Sequence, residues 1–255
     1  MNIKDILERY KRGQISLEEA EKLLKADAVE KIGEVAVIDV NRSVRKGVAE
    51  IILAEGKATS DLIEIIRVLD SKGRDIIISR LNKEQFEAVK SIIPEEKLIL
   101  NEKARMIIVV NNKVRSSERK PTVGLITAGS SDIPVAEECR MILEYMNCTV
   151  ISAYDVGVAG IHRLFPYIKK MIEADVACIV VAAGMEGALA SVVAGLVDVP
   201  VIGVPVSTGY GEGGKGKAAL YSMLQSCSTG LLVVNIDNGI SAGICAALIA
   251  KKTVK

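Results

Sequence analysis

The sequence predicts an α/β protein: a doubly wound parallel sheet in a three-layer sandwich, preceded by a smaller α+β domain. Three observations carry this prediction. Beyond Pro121, short apolar runs alternate with helix-length segments across short connections, the pattern of right-handed βαβ units. One run, residues 177–183, is apolar without a break, as expected of a strand buried on both faces of a parallel sheet. The turns after these runs are rich in glycine and hydroxyl side chains, and in open α/β sheets the turns at strand carboxyl ends are where ligands bind.

At 255 residues, 49% of them hydrophobic, the chain exceeds the common size of one domain and can bury a substantial core. We expect domains at 1–115 and 120–255. In the first, Ile3, Ile6, Leu7 and Tyr10 recur at helical spacing. Ser16-Leu17-Glu18-Glu19 then has the form of a capping box, opening a second short helix through Leu24. Residues 35–40 and 49–53 read as strands. Residues 59–69 read as a helix with Leu62, Ile65, Ile66 and Leu69 on one face. A strand at Ile76, Ile77 and Ile78, a helix through Phe86 and Val89, and strands at 97–100 and 106–110 complete the unit. Arg42, Arg45, Lys46 and Gly47, with Glu55-Gly56-Lys57 beyond, make a basic turn suited either to solvent or to a phosphate or carboxylate. The polar, aperiodic stretch 111–121 reads as the linker.

In the second domain the expected strands are 123–127, 149–153, 176–182, 201–206 and 231–236. Helices are expected near 135–146, 161–173, 187–196 and 217–224, and a last one at 240–251 closes the chain.

Composition narrows the partners. A net charge of +1 shows no bias toward nucleic acid or membrane. With no Trp and 3% aromatics, recognition by base stacking is disfavoured. No apolar run approaches the roughly 20 residues of a membrane span. The first residues lack the apolar core of a signal peptide, so a cytoplasmic protein is expected. The five cysteines show no CxxC spacing, which argues against both a disulfide framework and a zinc site. Cys139, Cys178 and Cys245 are expected in the core, and Cys148 is expected to be inert at a helix-to-strand junction. Cys227 differs: Ser226, Ser228, Thr229 and Gly230 surround it, a setting in which a thiolate could be exposed and stabilised.

The turns of the second domain hold the candidate chemistry. Gly129, Ser130, Ser131 and Asp132 lead into a helix, and hydroxyls beside free N–H groups suit a phosphate or ribose. Asp132 could equally be the N-cap, with Pro134 in the first turn. Neither a Walker loop nor GxGxxG occurs here. Asp155 opens the next turn, which runs to His162 and Arg163; a lone His is more often structural than functional. Gly184, Met185 and Glu186 follow the apolar run, Glu186 being either a solvated loop carboxylate or an acid–base group. Residues 207–217 (Ser207, Thr208, Gly209 and Lys215 among them) contain five glycines and read as a flexible loop or an anion-binding flap. With one His in the chain, a papain-like dyad has no second imidazole to draw on.

These residues carry a resemblance. Residues 128–132, Ser152-Ala153, Ala182-Ala183-Gly184, the 200–206 strand, Gln225 and Ala242-Gly243 follow in order the landmarks of the aminoimidazole ribonucleotide carboxylase/mutase (PurE) fold, over about residues 121–250. Where that family has a His after Ser-Ala this chain has Tyr154, and where it has the His of its glycine-alanine turn this chain has Gly187. Those departures, with Tyr154-Asp155-Val156-Gly157-Val158-Ala159-Gly160-Ile161-His162-Arg163, Gly184-Met185-Glu186-Gly187-Ala188-Leu189 and Ser226-Cys227-Ser228-Thr229-Gly230, resemble the LarB family, whose small N-terminal domain also fits. That family begins synthesis of the nickel-pincer nucleotide of lactate racemase.

The resemblance implies a carboxylase/hydrolase converting nicotinic acid adenine dinucleotide and CO2 or bicarbonate to pyridinium-3,5-biscarboxylic acid mononucleotide and AMP. It implies Cys227 as nucleophile and Glu186 as base. Gly129, Ser130, Ser131, Asp132, Asp155, His162, Arg163, Gly184, Met185, Ser207, Thr208, Gly209 and Lys215 would then bind the substrate. It implies no tightly bound cofactor, with Mg2+ an optional companion of the phosphates, and a homo-oligomer, an octamer in the PurE manner. The readings left open beside it are a PurE-like purine enzyme, disfavoured by the absent histidines, and a nucleotide-binding module without catalysis, disfavoured by placing both Glu186 and Cys227 at strand carboxyl ends.

Overall fold

The structure, a computed structural model, describes residues 3–26, 30–32, 36–38, 47–112 and 120–254. Arg42, Arg45 and Lys46 of the basic turn, and 113–119 of the expected linker, lie outside the described residues. The chain divides into two compact units, Met1–Leu100 with Met106–Lys113, and Asn101–Arg105 with Val114–Lys255.

The first unit opens with α1 (Ile3–Lys11) and α2 (Leu17–Ala26). The capping box forms as the sequence requires: Glu19 N–H donates to Ser16 Oγ at 3.1 Å and Ser16 N–H to Glu19 Oε2 at 3.2 Å. Ile6 is fully buried against Ile15 and Ala20, whereas Leu7 is 50% and Tyr10 44% exposed, so the apolar stripe of α1 is half used. The strand expected at 35–40 is the short β2 (Ala36–Ile38), paired antiparallel with an unanticipated β1 (Glu30–Ile32).

A four-stranded sheet follows, in the order β3 (Ile51–Leu53), β4 (Ile76–Ser79), β6 (Met106–Val109), β5 (Leu98–Asn101). β3 and β4 are parallel, and β6 returns antiparallel to β4. On one face pack α3 (Thr59–Ser71), through Leu62, Ile65, Ile66 and Leu69, and α4 (Lys83–Ile92), through Phe86 and Val89. These are the side chains that helical spacing selects.

The second unit is a five-stranded, wholly parallel sheet in the order β11 (Leu231–Val233), β10 (Val201–Pro205), β9 (Ile179–Ala183), β7 (Thr122–Thr127), β8 (Thr149–Ala153). All five residues of β9 and of β10 are buried, which explains their unbroken apolar sequence. α5 (Ile133–Tyr145) and α9 (Gly239–Thr253) pair on one face. On the other, α6 (Phe165–Glu173), α7 (Ala188–Ala194) and α8 (Lys217–Leu224) enclose a core that includes Ile168, Met171, Leu189, Val193 and Met223. That is the expected three-layer sandwich. The chain steps from β7 outward to β8 and then back across to β9, so the strand order reverses between β7 and β9, where a crevice opens at the carboxyl edge.

Three expectations need correction. The strand expected at 231–236 ends at Val233, because residues 234–238 turn into α9. The helix expected from 161 starts as a 3-10 segment, Val158–Arg163, and becomes regular only at Phe165. Cys245 is exposed on the outer side of α9, whereas Cys139 and Cys178 are buried as anticipated and Cys148 is buried too. α9 is apolar or small on nearly every side, so residue type alone did not reveal which side faces outward.

Candidate active site

The crevice between β7 and β9 is a cavity of about 640 Å³, walled by the turns after β7, β8 and β9 and by Thr208, Gly209 and Tyr210. Of the expected site residues it brings together Gly129, Ser131, Asp132, Asp155, Arg163, Gly184, Met185, Glu186, Thr208 and Gly209. A smaller cavity of about 180 Å³ lies on the other side of Met185, Glu186 and Thr208–Tyr210 and is lined by Ser207, Lys215 and Gly216. Ser130 and His162 are exposed and line neither.

Asp132 is the floor of the crevice, only 3% exposed. It occupies the N-cap position of α5, with Pro134 in the first turn, but its side chain does not cap the helix. Its carboxylate bridges two turns instead. Oδ2 accepts from Gly129 N–H at 2.8 Å and Oδ1 from Gly184 N–H at 3.2 Å, so it clasps the β7 turn to the turn carrying Glu186. Burial pushes the Asp132 carboxyl above the ordinary range; the two N–H donors oppose this, and the Asp155 and Asp237 carboxylates add to it. A group so held offers a phosphate no donor, and what remains to it is acceptance from a ribose hydroxyl.

The turns around this clasp are tightly wedged. A Cβ on Gly184 would lie 2.4 Å from the Thr208 carbonyl oxygen, so only glycine lets β9's turn and the flap meet. Gly187 combines a φ of +72° with the same restriction, its Cβ position lying 2.7 Å from the Ala219 carbonyl oxygen. Asp155, Met185 and Lys215 line the two cavities with φ of 58°, 52° and 57°, the left-handed region that costs a side-chain-bearing residue about 1 kcal/mol or more. Glu186 projects from the strained β9 turn and is exposed at the wall shared by both cavities.

Arg163 Nη1 pairs with Asp155 Oδ2 at 3.2 Å, and Asp155 N–H donates to Thr127 Oγ1 at 2.9 Å. Tyr154 turns away from the crevice: its hydroxyl donates to Glu137 Oε1 of α5 at 2.6 Å, and burial with that carboxylate pushes its pKa up to about 12. Among the described residues, no group of three His, Cys, Asp or Glu side chains is placed to hold a metal ion.

Cys227 is exposed but lies elsewhere. The sequence reading put both Cys227 and Glu186 at strand carboxyl ends; the structure overturns that. Residues 225–230 leave the end of α8 and enter the amino end of β11, where Gly230 carbonyl oxygen accepts from Val201 N–H at 3.0 Å. At roughly 3.3 Å per residue, the length of β10 alone separates the two edges by roughly 16 Å. Ser228 ties this turn to α7, its hydroxyl donating to the Ser191 carbonyl at 2.8 Å.

Two participants went unread in the sequence. Tyr210 stands 83% exposed on the wall common to both cavities, in a glycine-rich flap whose local pattern does not mark it. Asp237 accepts from Ser207 N–H at 2.8 Å and so anchors the base of the flap. Its signal was present in Asp237-Asn238-Gly239, a turn and N-cap sequence in which Asn238 Oδ1 accepts from Ser241 N–H at 2.9 Å.

Comparison with known proteins agrees with this architecture. The AIR carboxylase family matches residues 122–254, and a LarB/PurE-like N-terminal domain matches residues 29–112. MJ0165 of Methanocaldococcus jannaschii, described as uncharacterized, is 47% identical over 253 residues, 98% of this chain and 97% of that one. The N5-carboxyaminoimidazole ribonucleotide mutase of Thermotoga maritima is 34% identical over 134 residues, 51% of this chain and 74% of its own. The Pyrococcus horikoshii mutase of the same name is 31% identical over 138 residues, 52% and 74% respectively.

Proposed function

The chain belongs to the AIR carboxylase family, with a LarB/PurE-like N-terminal domain, and on that premise we propose that it carboxylates the pyridinium ring of nicotinic acid adenine dinucleotide. CO2 or bicarbonate supplies the carboxyl group, and hydrolysis of the phosphoanhydride yields pyridinium-3,5-biscarboxylic acid mononucleotide and AMP. The observation that favours this over an aminoimidazole substrate is that the crevice has a carboxylate and no imidazole. Tyr154 is bonded into α5, Gly187 is packed on the Ala219 carbonyl, and His162, the one His of the chain, lies off the cavity.

The chemistry requires a nucleophile and a base. A pyridinium C5 is too electron-poor to attack CO2. Addition of the Cys227 thiolate to a neighbouring ring carbon makes a dihydropyridine whose enamine carbon is nucleophilic, dividing one hard step into two easier ones. After C5 bonds to CO2, Glu186 takes the C5 proton, the ring electrons return, and the thiolate leaves. Gly129, Ser131 and Arg163 would hold ribose and phosphates, with no tightly bound cofactor and Mg2+ optional.

Since Cys227 and Glu186 occupy opposite edges of one sheet, the reading includes a homo-oligomer, an octamer in the PurE manner, in which Cys227 of a neighbouring copy faces the crevice. Incubating the full chain with nicotinic acid adenine dinucleotide and ¹³C-bicarbonate, followed by mass spectrometry, tests the reaction. Labelled dicarboxylated mononucleotide and AMP are expected; turnover of an aminoimidazole ribonucleotide instead would return the chain to purine chemistry. Co-expressing the Glu186→Gln and Cys227→Ser variants tests the sharing. Random assortment should restore roughly a quarter of wild-type activity, and none would be restored if each copy used its own pair.

A further inference from the structure

We propose that the smaller cavity is an oxyanion site that receives the carboxyl group being transferred, while the larger crevice takes the nucleotide. The assignment to a carboxyl group rests on the carboxylation reading above; the assignment to a small oxyanion does not.

Size is the first argument. Pockets that enclose a drug-sized ligand run from roughly 300 Å³ upward, which the 640 Å³ crevice meets and the 180 Å³ cavity does not. The smaller cavity has room for a one-carbon acid or a single phosphoryl group and some water.

The lining is the second. Lys215 brings an ammonium, and Ser207 brings a hydroxyl whose own backbone N–H is fixed by Asp237 at 2.8 Å. Gly213, Gly214 and Gly216 bring backbone that carries no side chain, at the amino end of the eight-residue α8. Ala218 N–H reaches the Gly213 carbonyl at 3.3 Å and closes the turn that leads into α8. Successive N–H groups in such a turn form an anion-binding concavity, and the positive pole of α8 adds to it. Lys215 holds a left-handed φ of 57° in the middle of this turn, where glycine would be unstrained. A lysine kept there at a conformational cost points to its charge as the reason.

The charge opposite is the third. Glu186 is the carboxylate lining the cavity, on the wall it shares with the crevice, across which a bound molecule would extend. An anion between Lys215 and Glu186 is held on one side and faces a base on the other. That is the arrangement needed by a carbon that carries both the new carboxylate and the proton to be removed: the carboxylate sits toward Lys215 and the proton toward Glu186.

Line broadening of ¹³C-bicarbonate by the full chain, without any nucleotide, reads occupancy directly. Saturable broadening is expected in the wild type and in Lys215→Arg, with affinity about tenfold weaker in Lys215→Gln, which loses one charge-assisted contact. Equal broadening by Lys215→Gln overturns the site. Displacement of bicarbonate by inorganic phosphate at concentrations below those at which bicarbonate itself saturates would make the cavity a phosphoryl site and overturn the carboxyl assignment. In turnover, Lys215→Gln should raise the KM for bicarbonate and leave that for the dinucleotide in place. Because the binding titration needs no reaction, bicarbonate binding without carboxylation would sink the proposed function and leave this site standing.

Discussion

The two edges of the five-stranded sheet are built from the same strands and the same small residues, yet they differ in what they bury and enclose. At the carboxyl edge Asp132 is buried as a clasp between two turns, four side-chain-bearing residues (Asp155, Met185, Lys215 and Asp237) sit in left-handed backbone, and two cavities open. At the amino edge the turn before β11 is relaxed. Gln225 and Ser226 N–H donate back to Tyr221 and Met223 carbonyls, Ser228 bonds Ser191, and Gly230 takes the left-handed position at a φ of 85°. The helix end next to Cys227 is the carboxyl terminus of α8, the negative pole of its dipole, which lends the sulfur no positive charge. Left-handed backbone occurs at both edges, at Asn147 and Asp175 before β8 and β9 as well. It is therefore the buried carboxylate and the two cavities that mark one edge as a site, while the exposed cysteine on the other acquires a role only from what faces it.

Cys227→Ser breaks this comparison most sharply. Ring carboxylation should fall by about 10³-fold or more, since an alkoxide is far scarcer than a thiolate near neutral pH, while nucleotide affinity largely survives. Wild-type protein with a pyridinium dinucleotide should gain a near-ultraviolet dihydropyridine absorbance that the variant lacks. Full carboxylation by the Ser variant would end the covalent mechanism.

Glu186→Gln keeps shape and removes the base, and turnover should fall by roughly 10²-fold with substrate still bound. Single-turnover kinetics should show the absorbance of the adduct accumulating. If turnover is unchanged, the base is elsewhere, and Asp132 is next in line.

Asp132 sharpens the comparison through pH. Its folded pKa lies above the ordinary 3.8, so the protonated form is favoured by folding. Its contribution is fully present below pH 3.8 and is lost as pH rises through the folded value. Urea midpoints should therefore show the wild-type advantage over Asp132→Asn shrinking as pH rises across that window. A difference independent of pH would mean that the clasp does not titrate.

The smallest effect belongs to Arg163→Met. The Asp155–Arg163 pair is about half exposed on both sides, so its loss should change stability by about 0.5 kcal/mol or less. A much larger loss, measured by urea unfolding, would show the pair to be screened from solvent more than its exposure implies.

The sequence by itself determined the elements and their layering. Periodicity selected Leu62, Ile65, Ile66 and Leu69 for the core, the unbroken 177–183 run announced a strand buried on both faces, and Ser16 with Glu19 marked a helix start. These are local statements, made by side chains a few residues apart. The glycine-rich turns were legible for the same reason, and the order of strands and turns was enough to place Gly129, Asp132, Gly184 and Glu186 at one edge. Only the tertiary structure decided what those turns do to one another. Asp132 reads as an N-cap until Gly184, 52 positions away, is seen to share its carboxylate. Tyr154 reads as a replacement for a catalytic imidazole until Glu137 is found holding its hydroxyl. Cys227 reads as a strand-end nucleophile until the parallel direction of β11 sends it to the far edge. Hydrogen bonds and strand direction between distant segments depend on how the layers close, and no pattern within a single turn records that.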